Sequence, residues 1–223
     1  MGAPALATET PSDSTGLPIR PVPDGSDVRK VAPSDFPDVI DGVVRAFYDD
    51  PLFSWMFPRP ERRAKQTEEA FRLFARRIWL PQGESYTTDR LIGACFWMPP
   101  GTAQLGVLSQ LLLLPGMARA CRRDLTRVMR VLAAMDREHP HDPHYYLPVI
   151  GIGPEWQGRG FGAALLRPML DRCDREGLPA YLEASSPRNR ALYERHGFEA
   201  VGQFTVADSP PLWPMWRAPA GAS

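Results

Sequence analysis

The chain has 223 residues, 43% of them apolar, which is enough to bury one substantial core, so a single domain is expected. Its 26 basic and 26 acidic residues balance, which excludes a net charge that would draw the whole protein to nucleic acid or to an anionic membrane. The three cysteines, Cys95, Cys121 and Cys173, are odd in number and far apart. They therefore define neither a disulfide framework nor a paired-cysteine metal site, and they fit a reducing cytoplasm.

The N-terminal segment is rich in proline, threonine, serine, aspartate and glycine. Because this mixture has too little apolar surface to offset the entropy lost on ordering, we predict a disordered tail at residues 1–26 and one domain at residues 27–223. The tail lacks the charged, apolar and small-residue order of a secretory signal. The most apolar window, Leu105–Ala118, is too short to span a bilayer, so a soluble, cytoplasmic protein without a membrane partner is expected.

Apolar residues at helical or strand spacing predict alternating elements in the first two thirds of the chain. Pro115-Gly116 divides the last helical stretch, since proline cannot donate a helical hydrogen bond. This stretch is predicted to be a helical insertion at about residues 104–138. The predicted elements are a strand at Asp27–Val31, a helix from Phe36 to Phe47, a helix at Arg59–Leu80, a hairpin of Glu84–Thr88 and Leu91–Met98, and helices at Gln104–Leu114 and Met117–Glu138.

The last third of the chain continues the alternation. It indicates an α/β arrangement around one mixed sheet, because strands and helices follow one another within a single compact unit. The predicted elements are strands at Tyr145–Ile152, Ala180–Ala184, Phe198–Val206 and Leu212–Arg217, and helices at Gly158–Glu176 and Pro187–His196.

A glycine-rich turn joins the strand at Tyr145–Ile152 to the following helix. Glycines let a bound group approach the backbone, and the first N–H groups of a helix have no partner within it, so the turn suits a pyrophosphate. A P-loop is excluded because no Gly-Lys-Ser/Thr follows the glycines. Two other interpretations stay open, a dinucleotide fingerprint at Gly158, Gly160 and Ala163 and a tight turn without a ligand.

The run Gln157–Gly162 resembles the Gln/Arg-x-x-Gly-x-Gly/Ala loop of the GNAT superfamily of N-acetyltransferases. The resemblance implies a three-layer fold, with helices on both faces of a mixed, mostly antiparallel sheet that contains two splayed parallel strands. It also implies that acetyl-coenzyme A is the co-substrate. Its pantetheine would pair with the strand edge at Ile150, Gly151 and Ile152. Its pyrophosphate would be held by the N–H groups of Gln157, Gly158, Arg159, Gly160, Phe161 and Gly162.

A second block, Pro179–Phe198, resembles the strand and helix that follow this loop in the family, and within the family it looks closest to the puromycin N-acetyltransferase type. Its own residues predict the helix, because Ser186 suits the N-cap and Pro187 the first helical position. Asn189 lies one turn before Tyr193 and would hold coenzyme A or a catalytic water, although an asparagine at a helix start often serves only its own backbone.

Tyr193 and Glu183 are the candidate catalytic residues. A phenol can give a proton to a departing thiolate, and the family has a tyrosine at the position of Tyr193. Glu183 lies in an apolar strand, where an idle carboxylate would be costly, so we expect it to accept the proton of the amine or to anchor it. The alternatives are that Tyr193 only packs its ring and that Glu183 faces solvent.

Two further groups of residues could belong to a site. His139, His141 and His144 lie in a proline-containing loop without a fourth ligand, so no metal site is predicted. The amine is expected between the N-terminal helices and the helical insertion. Six residues could line that pocket: Phe47, Trp55, Phe57, Trp97, Met98 and Tyr145.

The sequence therefore predicts an N-acetyltransferase that moves the acetyl group of acetyl-coenzyme A directly to an amine. The acceptor is a small molecule or peptide that the sequence does not identify, and nucleic acid is not expected as a partner. The protein is expected to be a monomer or a homodimer. The alternative is a non-catalytic domain that binds acyl-coenzyme A, and a nicotinamide-dependent oxidoreductase is a third, weaker interpretation.

Overall fold

A seven-stranded sheet runs through the middle of the molecule, with its strands in the order β1-β2-β3-β4-β5-β7-β6. The structure is a computed structural model that describes residues 27–103 and 107–221, so the predicted tail lies outside the described residues. Every pairing in the sheet is antiparallel except that of β4 with β5. The strands are β1 Val28–Lys30, β2 Ser85–Thr88, β3 Gly93–Met98, β4 Tyr145–Ile152, β5 Ala180–Ala184, β6 Glu199–Ala200 and β7 Trp213–Arg217.

Helices cover both faces of this sheet, which confirms the predicted mixed α/β fold. A sheet with one parallel pair among the described strands does not match the doubly wound parallel sheet that a dinucleotide fold would need. Within the described residues, no helix is both long enough and apolar enough to cross a membrane. The helices are α1 Phe36–Phe47, α2 Pro51–Met56, α3 Pro60–Phe74, α4 Val107–Cys121, α5 Leu125–Glu138, α6 Phe161–Glu176 and α7 Pro187–Glu194.

The two faces of the central strand β3 are both buried, and its side chains alternate between them. Cys95 and Trp97 pack toward α6, whereas Ala94, Phe96 and Met98 pack toward α1 and α3. A third apolar cluster joins α2 to α4 and α5, away from the sheet. The helical insertion therefore packs on the N-terminal helices, and the space between these two groups of helices is where the cavity described below lies.

The break in the helical insertion differs from the prediction. Helix α4 continues through Pro115 and ends at Cys121, and Arg122 has a positive φ of 52°. Pro115 leaves the carbonyl of Leu111 without a helical donor, but both residues are exposed, so water can satisfy that carbonyl. The turn is fixed at Asp124 instead, which accepts hydrogen bonds from Arg59 at 2.7 Å and Gln66 at 2.9 Å. The predicted start of the insertion at residue 104 lies outside the described residues.

Three other elements differ from the sequence-based expectation. Helix α2 was not predicted, although Asp50 caps it and Pro51 occupies its first position. The predicted helix at Arg59–Leu80 loses α-helical geometry after Phe74 and continues as a π-helical turn. The predicted strand at Phe198–Val206 is reduced to two residues of β6 and one bridge at Phe204, because three exposed residues, Val201, Gly202 and Gln203, separate them.

Candidate active site

The parallel strands β4 and β5 separate soon after they begin. Their pairing is limited to Tyr145 with Ala180 and Tyr146 with Tyr181. On the other side of β4, the four residues from Tyr146 to Val149 are matched by three on β3, so β4 carries one extra residue. The bulge also reverses the face of the sheet to which the following side chains point. Tyr146 and Ile150 are four positions apart and would share one face in a regular strand, but Tyr146 packs on the α1 face and Ile150 on the α6 face.

Beyond the bulge, one edge of β4 is open. The N–H of Gly153 donates to the carbonyl of Ile92 next to β3, so alternation directs the peptide groups of Ile150 and Ile152 to the opposite, open edge. The Ile152 carbonyl on that edge accepts a hydrogen bond of 2.9 Å from the Gln157 side chain. Of the three residues predicted to form the edge, Gly151 alone directs its peptide groups toward β3.

The turn between β4 and α6 presents a row of unpaired backbone N–H groups. The amides of residues 158–163 donate no hydrogen bond to another described residue, whereas that of Gln157 already donates to the Pro154 carbonyl at 3.3 Å. The row therefore begins at Gly158. Gly158 and Gly160 have φ values of 76° and 88°, and a Cβ added at either would meet nothing within 4 Å. This amide row at the start of α6 can hold an anion.

The side chains of the turn have different roles. Phe161 is buried and fixes the start of α6 against the core, so only its backbone N–H faces the turn. The Trp156 ring lies beneath two guanidinium groups, those of Arg159 at 5.2 Å and Arg90 at 5.4 Å from its centroid. Both cations add positive potential next to the amide row, and this favours an anionic ligand.

A cavity of about 410 Å³ leads from the open edge of β4 into the space between the N-terminal helices and α4 and α5. Three of the six predicted lining residues, Phe47, Phe57 and Met98, do line it. The other three do not. Trp97 and Tyr145 point to the α6 face of the sheet, and Trp55 stacks with Arg127 at the surface.

Glu183 faces this cavity and not the bulk solvent. Its Oε2 accepts a hydrogen bond of 2.9 Å from the Tyr146 hydroxyl, while its buried Oε1 has no partner within the described part of the chain. Burial raises the pKa of Glu183 to about 7, and the hydrogen bond from Tyr146 opposes the rise. The Tyr181 hydroxyl is near the carboxyl, but its geometry falls short of a formed hydrogen bond.

Tyr193 also lines the cavity and is 7% exposed. Its hydroxyl makes no hydrogen bond to another residue that the structure describes. Burial raises the pKa of Tyr193 above its usual value, and the charge of Asp50 adds to the rise. Asn189, one turn earlier on α7, lines the cavity too, and its backbone N–H donates to the Ser186 hydroxyl at 3.2 Å, as the predicted N-cap requires.

The model of the Acetyltransferase (GNAT) family matches residues 44–198, which is more than half of the chain. The chain belongs to the GNAT family of acetyltransferases. The match includes the open edge of β4, the amide row, Glu183 and Tyr193. The predicted superfamily is therefore confirmed, and the GNAT chain is a transferase.

The relatives of this GNAT chain support the assignment. An uncharacterized N-acetyltransferase of Schizosaccharomyces pombe is 27% identical over 182 residues, which cover 76% of this chain and 73% of the relative. A solved structure described as histone acetyltransferase HPA2 and related acetyltransferase, from Corynebacterium glutamicum, has a TM-score of 0.64 and 25% identity. It covers 88% of this chain and 97% of its own. Polyamine N-acetyltransferase of Drosophila melanogaster shares the fold alone, with a TM-score of 0.58, 14% identity and coverages of 86% and 98%.

Sequence reasoning missed a carboxyl near Tyr193. Asp50 caps α2, since its Oδ1 accepts the N–H groups of Leu52 at 2.9 Å and Phe53 at 3.2 Å. Its Oδ2 accepts the hydroxyl of Ser185 at 2.5 Å, and burial raises the pKa of Asp50. The available signal was local, because an aspartate before a proline is a common helix start. Nothing in the sequence indicated that it would contact Ser185.

The histidines of the GNAT chain form a packed pair. The His144 Nδ1 lies 2.6 Å from the carbonyl of Asp142 and must donate to it, so its Nε2 accepts the N–H of the His139 Nε2 at 3.1 Å. Burial lowers the pKa of His139 to about 4 and also lowers that of His144, so both rings are neutral near pH 7. Both rings contact Tyr181, behind Glu183. Among the described residues, no group of three or more potential ligands is arranged to hold a metal.

The burial of Glu183 predicts a pH-dependent loss of stability. Its pKa is about 7 in the folded chain against 4.5 for an ordinary glutamate, so its contribution is fully present below pH 4.5 and is lost as the pH rises to about 7. The shift corresponds to about 3 kcal/mol. Glu183→Gln, which cannot ionise, should unfold at higher urea than the wild type at pH 8 but not at pH 4.5.

The control is Glu199→Gln, because Glu199 is exposed on β6. It should leave the difference in the free energy of unfolding between the two pH values unchanged. If Glu183→Gln behaved in the same way as this control, Glu183 would not be buried as described.

Proposed function

We propose that this GNAT chain transfers the acetyl group of acetyl-coenzyme A to the nitrogen of an amine. The observation that carries the proposal is an open strand edge that lines the cavity of Glu183 at Ile150 and continues along the chain into the amide row at the start of α6. Acetyl transfer from acetyl-coenzyme A to an amine needs a binding site for the pyrophosphate of the donor, a binding site for its extended pantetheine arm, and a proton acceptor near the end of that arm. The described residues offer all three.

The residues fit the donor at two places. The amides of residues 158–163 suit the pyrophosphate, because unpaired N–H groups at a helix start favour negative charge. The peptide groups of Ile150 and the N–H of Ile152 on the open edge suit the amides of the pantetheine arm, in the manner of an added strand, while the Ile152 carbonyl already accepts from Gln157. Asn189 lines the same cavity as Glu183, and we propose that its side chain forms a hydrogen bond with the donor there. Acetyl-coenzyme A itself supplies the acetyl group as a reactive thioester.

Glu183 is proposed to accept the proton that the amine loses as its nitrogen bonds to the acetyl carbon. A carboxyl with a pKa of about 7 is ionised in half of the molecules at neutral pH and is basic enough for this role. The Tyr146 hydroxyl holds its Oε2, whereas the buried Oε1 has no hydrogen-bond partner among the described residues. The same carboxylate can hold a substrate ammonium group before transfer, so anchoring and proton acceptance do not conflict.

Tyr193 is proposed to donate its hydroxyl proton toward the departing sulfur. Its raised pKa keeps the phenol protonated at neutral pH. The same rise makes complete proton transfer less favourable than from an exposed tyrosine, because the phenolate would be buried near Asp50. Tyr193 would therefore act first as a hydrogen-bond donor to the sulfur, while the negative charge grows there.

The alternative function is a non-catalytic domain that binds acyl-coenzyme A. Such a domain would need the amide row and the strand edge, as an enzyme would. Only an enzyme would also need a carboxyl inside the cavity whose pKa is raised to about 7. Perturbed carboxyls in clefts are typical of catalytic sites, so Glu183 favours the enzyme. Binding of acetyl-coenzyme A without turnover of any amine would favour the alternative.

Two narrower expectations stay proposals. The resemblance of the Pro179–Phe198 block to the puromycin N-acetyltransferase type finds no support in the relatives described above, and it does not identify the acceptor. We also propose a cytoplasmic location. Cys95, Cys121 and Cys173 are free and buried, which suits a reducing compartment.

Replacement of Gly160 by alanine should weaken the binding of acetyl-coenzyme A by at least about tenfold, measured by titration calorimetry. The added methyl group would stand in the open space in front of the amide row, and φ of 88° is strained for alanine. The matched control is Gly83→Ala, with φ of 72° and open space around it but a position outside the turn. It should lose similar stability and keep the wild-type affinity, and equal affinities for both variants would contradict the amide row as the binding site.

Replacement of Tyr193 by phenylalanine should lower kcat by about 100-fold, the scale of a lost general acid, because no other group is proposed to protonate the sulfur. The KM for acetyl-coenzyme A should stay within about twofold. The matched control is Tyr145→Phe, because the hydroxyl of Tyr145 bonds Glu176 outside the cavity at 2.7 Å. An unchanged kcat in the Tyr193 variant would remove its acid role.

The pH profile tests Glu183. The slope of log kcat/KM for the amine against pH should decrease by one unit near pH 7, where the carboxyl changes from mostly protonated to mostly ionised. Glu183→Gln should lower kcat/KM and abolish this change of slope. Tyr146→Phe removes a hydrogen bond that lowers the pKa of Glu183, so it should move the break to higher pH. A break that stays at the same pH in all three proteins would assign it to another group.

A further inference from the structure

The cavity has an inner part that the donor would not fill. Its first part follows the open edge of β4 to Glu183, and its second part continues between α2 and α3 on one side and α4 and α5 on the other. An amine that reaches Glu183 must leave the rest of its structure in this second part. The walls of the second part therefore select the acceptor.

These walls are apolar. Aromatic, leucine, methionine, valine and alanine side chains from four helices form most of them, and Gln110 and Asp136 are the polar residues that α4 and α5 contribute. Several of them, including Phe53, Phe74, Leu132 and Met135, are only half-buried although they line the cavity, so part of their surface is available to a ligand. Phe74 stacks on Trp79 with 5.7 Å between the ring centroids, and this pair offers a flat aromatic wall.

Few charged side chains line this space, and those that do are acidic. Glu183 and Asp136 are the carboxyl groups among the described lining residues, and that set contains no lysine or arginine. Asp136 is exposed, so Glu183 is the one carboxyl that lies deep in the cavity. His139 lines the cavity as well, but burial lowers its pKa to about 4, so it adds no charge near pH 7.

The outer surface of the same helices is positive. Arg119, Arg122, Arg123, Arg130 and Arg137 are exposed on or between α4 and α5. Asp136 and Glu138 are the exposed acidic residues of that part of the chain. A substrate with several positive charges would be repelled as it approached, because like charges near a cleft lower the local concentration of a ligand.

We infer that the acceptor is a primary amine with a single positive charge and one bulky apolar group, aromatic by preference. This inference rests on the proposed function and names its substrate class. The ammonium group meets Glu183, and the apolar group contacts the helices of the inner cavity. A second cation, as in a polyamine or a guanidinium-bearing amine, would have to lie among phenylalanine, leucine and methionine side chains without a partner, at a large desolvation penalty.

The experiment measures kcat/KM at saturating acetyl-coenzyme A for 2-phenylethylamine, hexylamine, agmatine and spermidine. The product is identified by mass, and thiol release gives the rate. We expect both monoamines to exceed agmatine and spermidine by at least tenfold, with 2-phenylethylamine ahead of hexylamine. A preference for agmatine or spermidine would overturn the substrate class while leaving acetyl transfer intact. Binding of acetyl-coenzyme A with no turnover of any of the four would instead overturn the proposed function together with the inference.

A second carboxyl in the wall should change this preference. Leu132→Glu puts a carboxylate on α5 at the inner cavity, so kcat/KM for 2-phenylethylamine should fall about tenfold and that for agmatine should rise. The matched control is Leu125→Glu, since Leu125 is also half-buried on α5 but does not line the cavity. The control should keep the wild-type order of acceptors. If both variants kept it at equal stability, the inner cavity would not be the acceptor site.

Discussion

The site depends on the separation of β4 from β5. Two parallel strands that stayed paired would use the peptide groups that face each other in mutual hydrogen bonds, and neither a ligand edge nor a cavity would exist between them. The extra residue near Pro148 ends this arrangement, because it turns the peptide groups of β4 and a proline cannot donate to a neighbouring strand. The freed peptide groups are costly to bury without partners, so the opening is stable only where water or a ligand can reach it.

The same separation creates the chemistry of Glu183. If β5 stayed paired with β4 along its whole length, the Glu183 carboxyl would project from a continuous face of the sheet, against a neighbouring element or into solvent. Here the carboxyl borders a cleft that is lined by aromatic rings. Tyr146, the last residue of β4 that pairs with β5, lies just before the separation and holds one oxygen of the carboxyl. Strand geometry and the raised pKa of Glu183 thus have one common origin, the point where the two strands separate.

Sequence reasoning succeeded where structure is local. The glycine turn, the N-cap at Ser186 and the succession of strands and helices in the last third depend on residues near one another in the chain, and motif spacing reveals them. Sequence reasoning could not predict contacts between segments that are far apart in the chain. The bulge depends on the register of β3, the carboxyl of Asp50 meets Ser185 across 135 positions, and Arg122 breaks the insertion because Asp124 is held by the N-terminal helices. Half of the expected pocket residues failed for the same reason, since an aromatic side chain does not reveal from sequence which face of a sheet it covers.

The carboxyl of Asp50 has a mechanical consequence. One oxygen holds the start of α2, and the other holds Ser185, two residues beyond Glu183 on the chain. Asp50 therefore connects α2, which contributes to the inner cavity, to the end of β5, the strand that carries the proposed base Glu183. Substitutions farther along α2 and α3 can change the shape of the inner cavity, while the hydrogen bonds of Asp50 keep the start of α2 in place relative to the Glu183 carboxylate. A fold built in this way can exchange one acceptor for another without rebuilding its catalytic geometry.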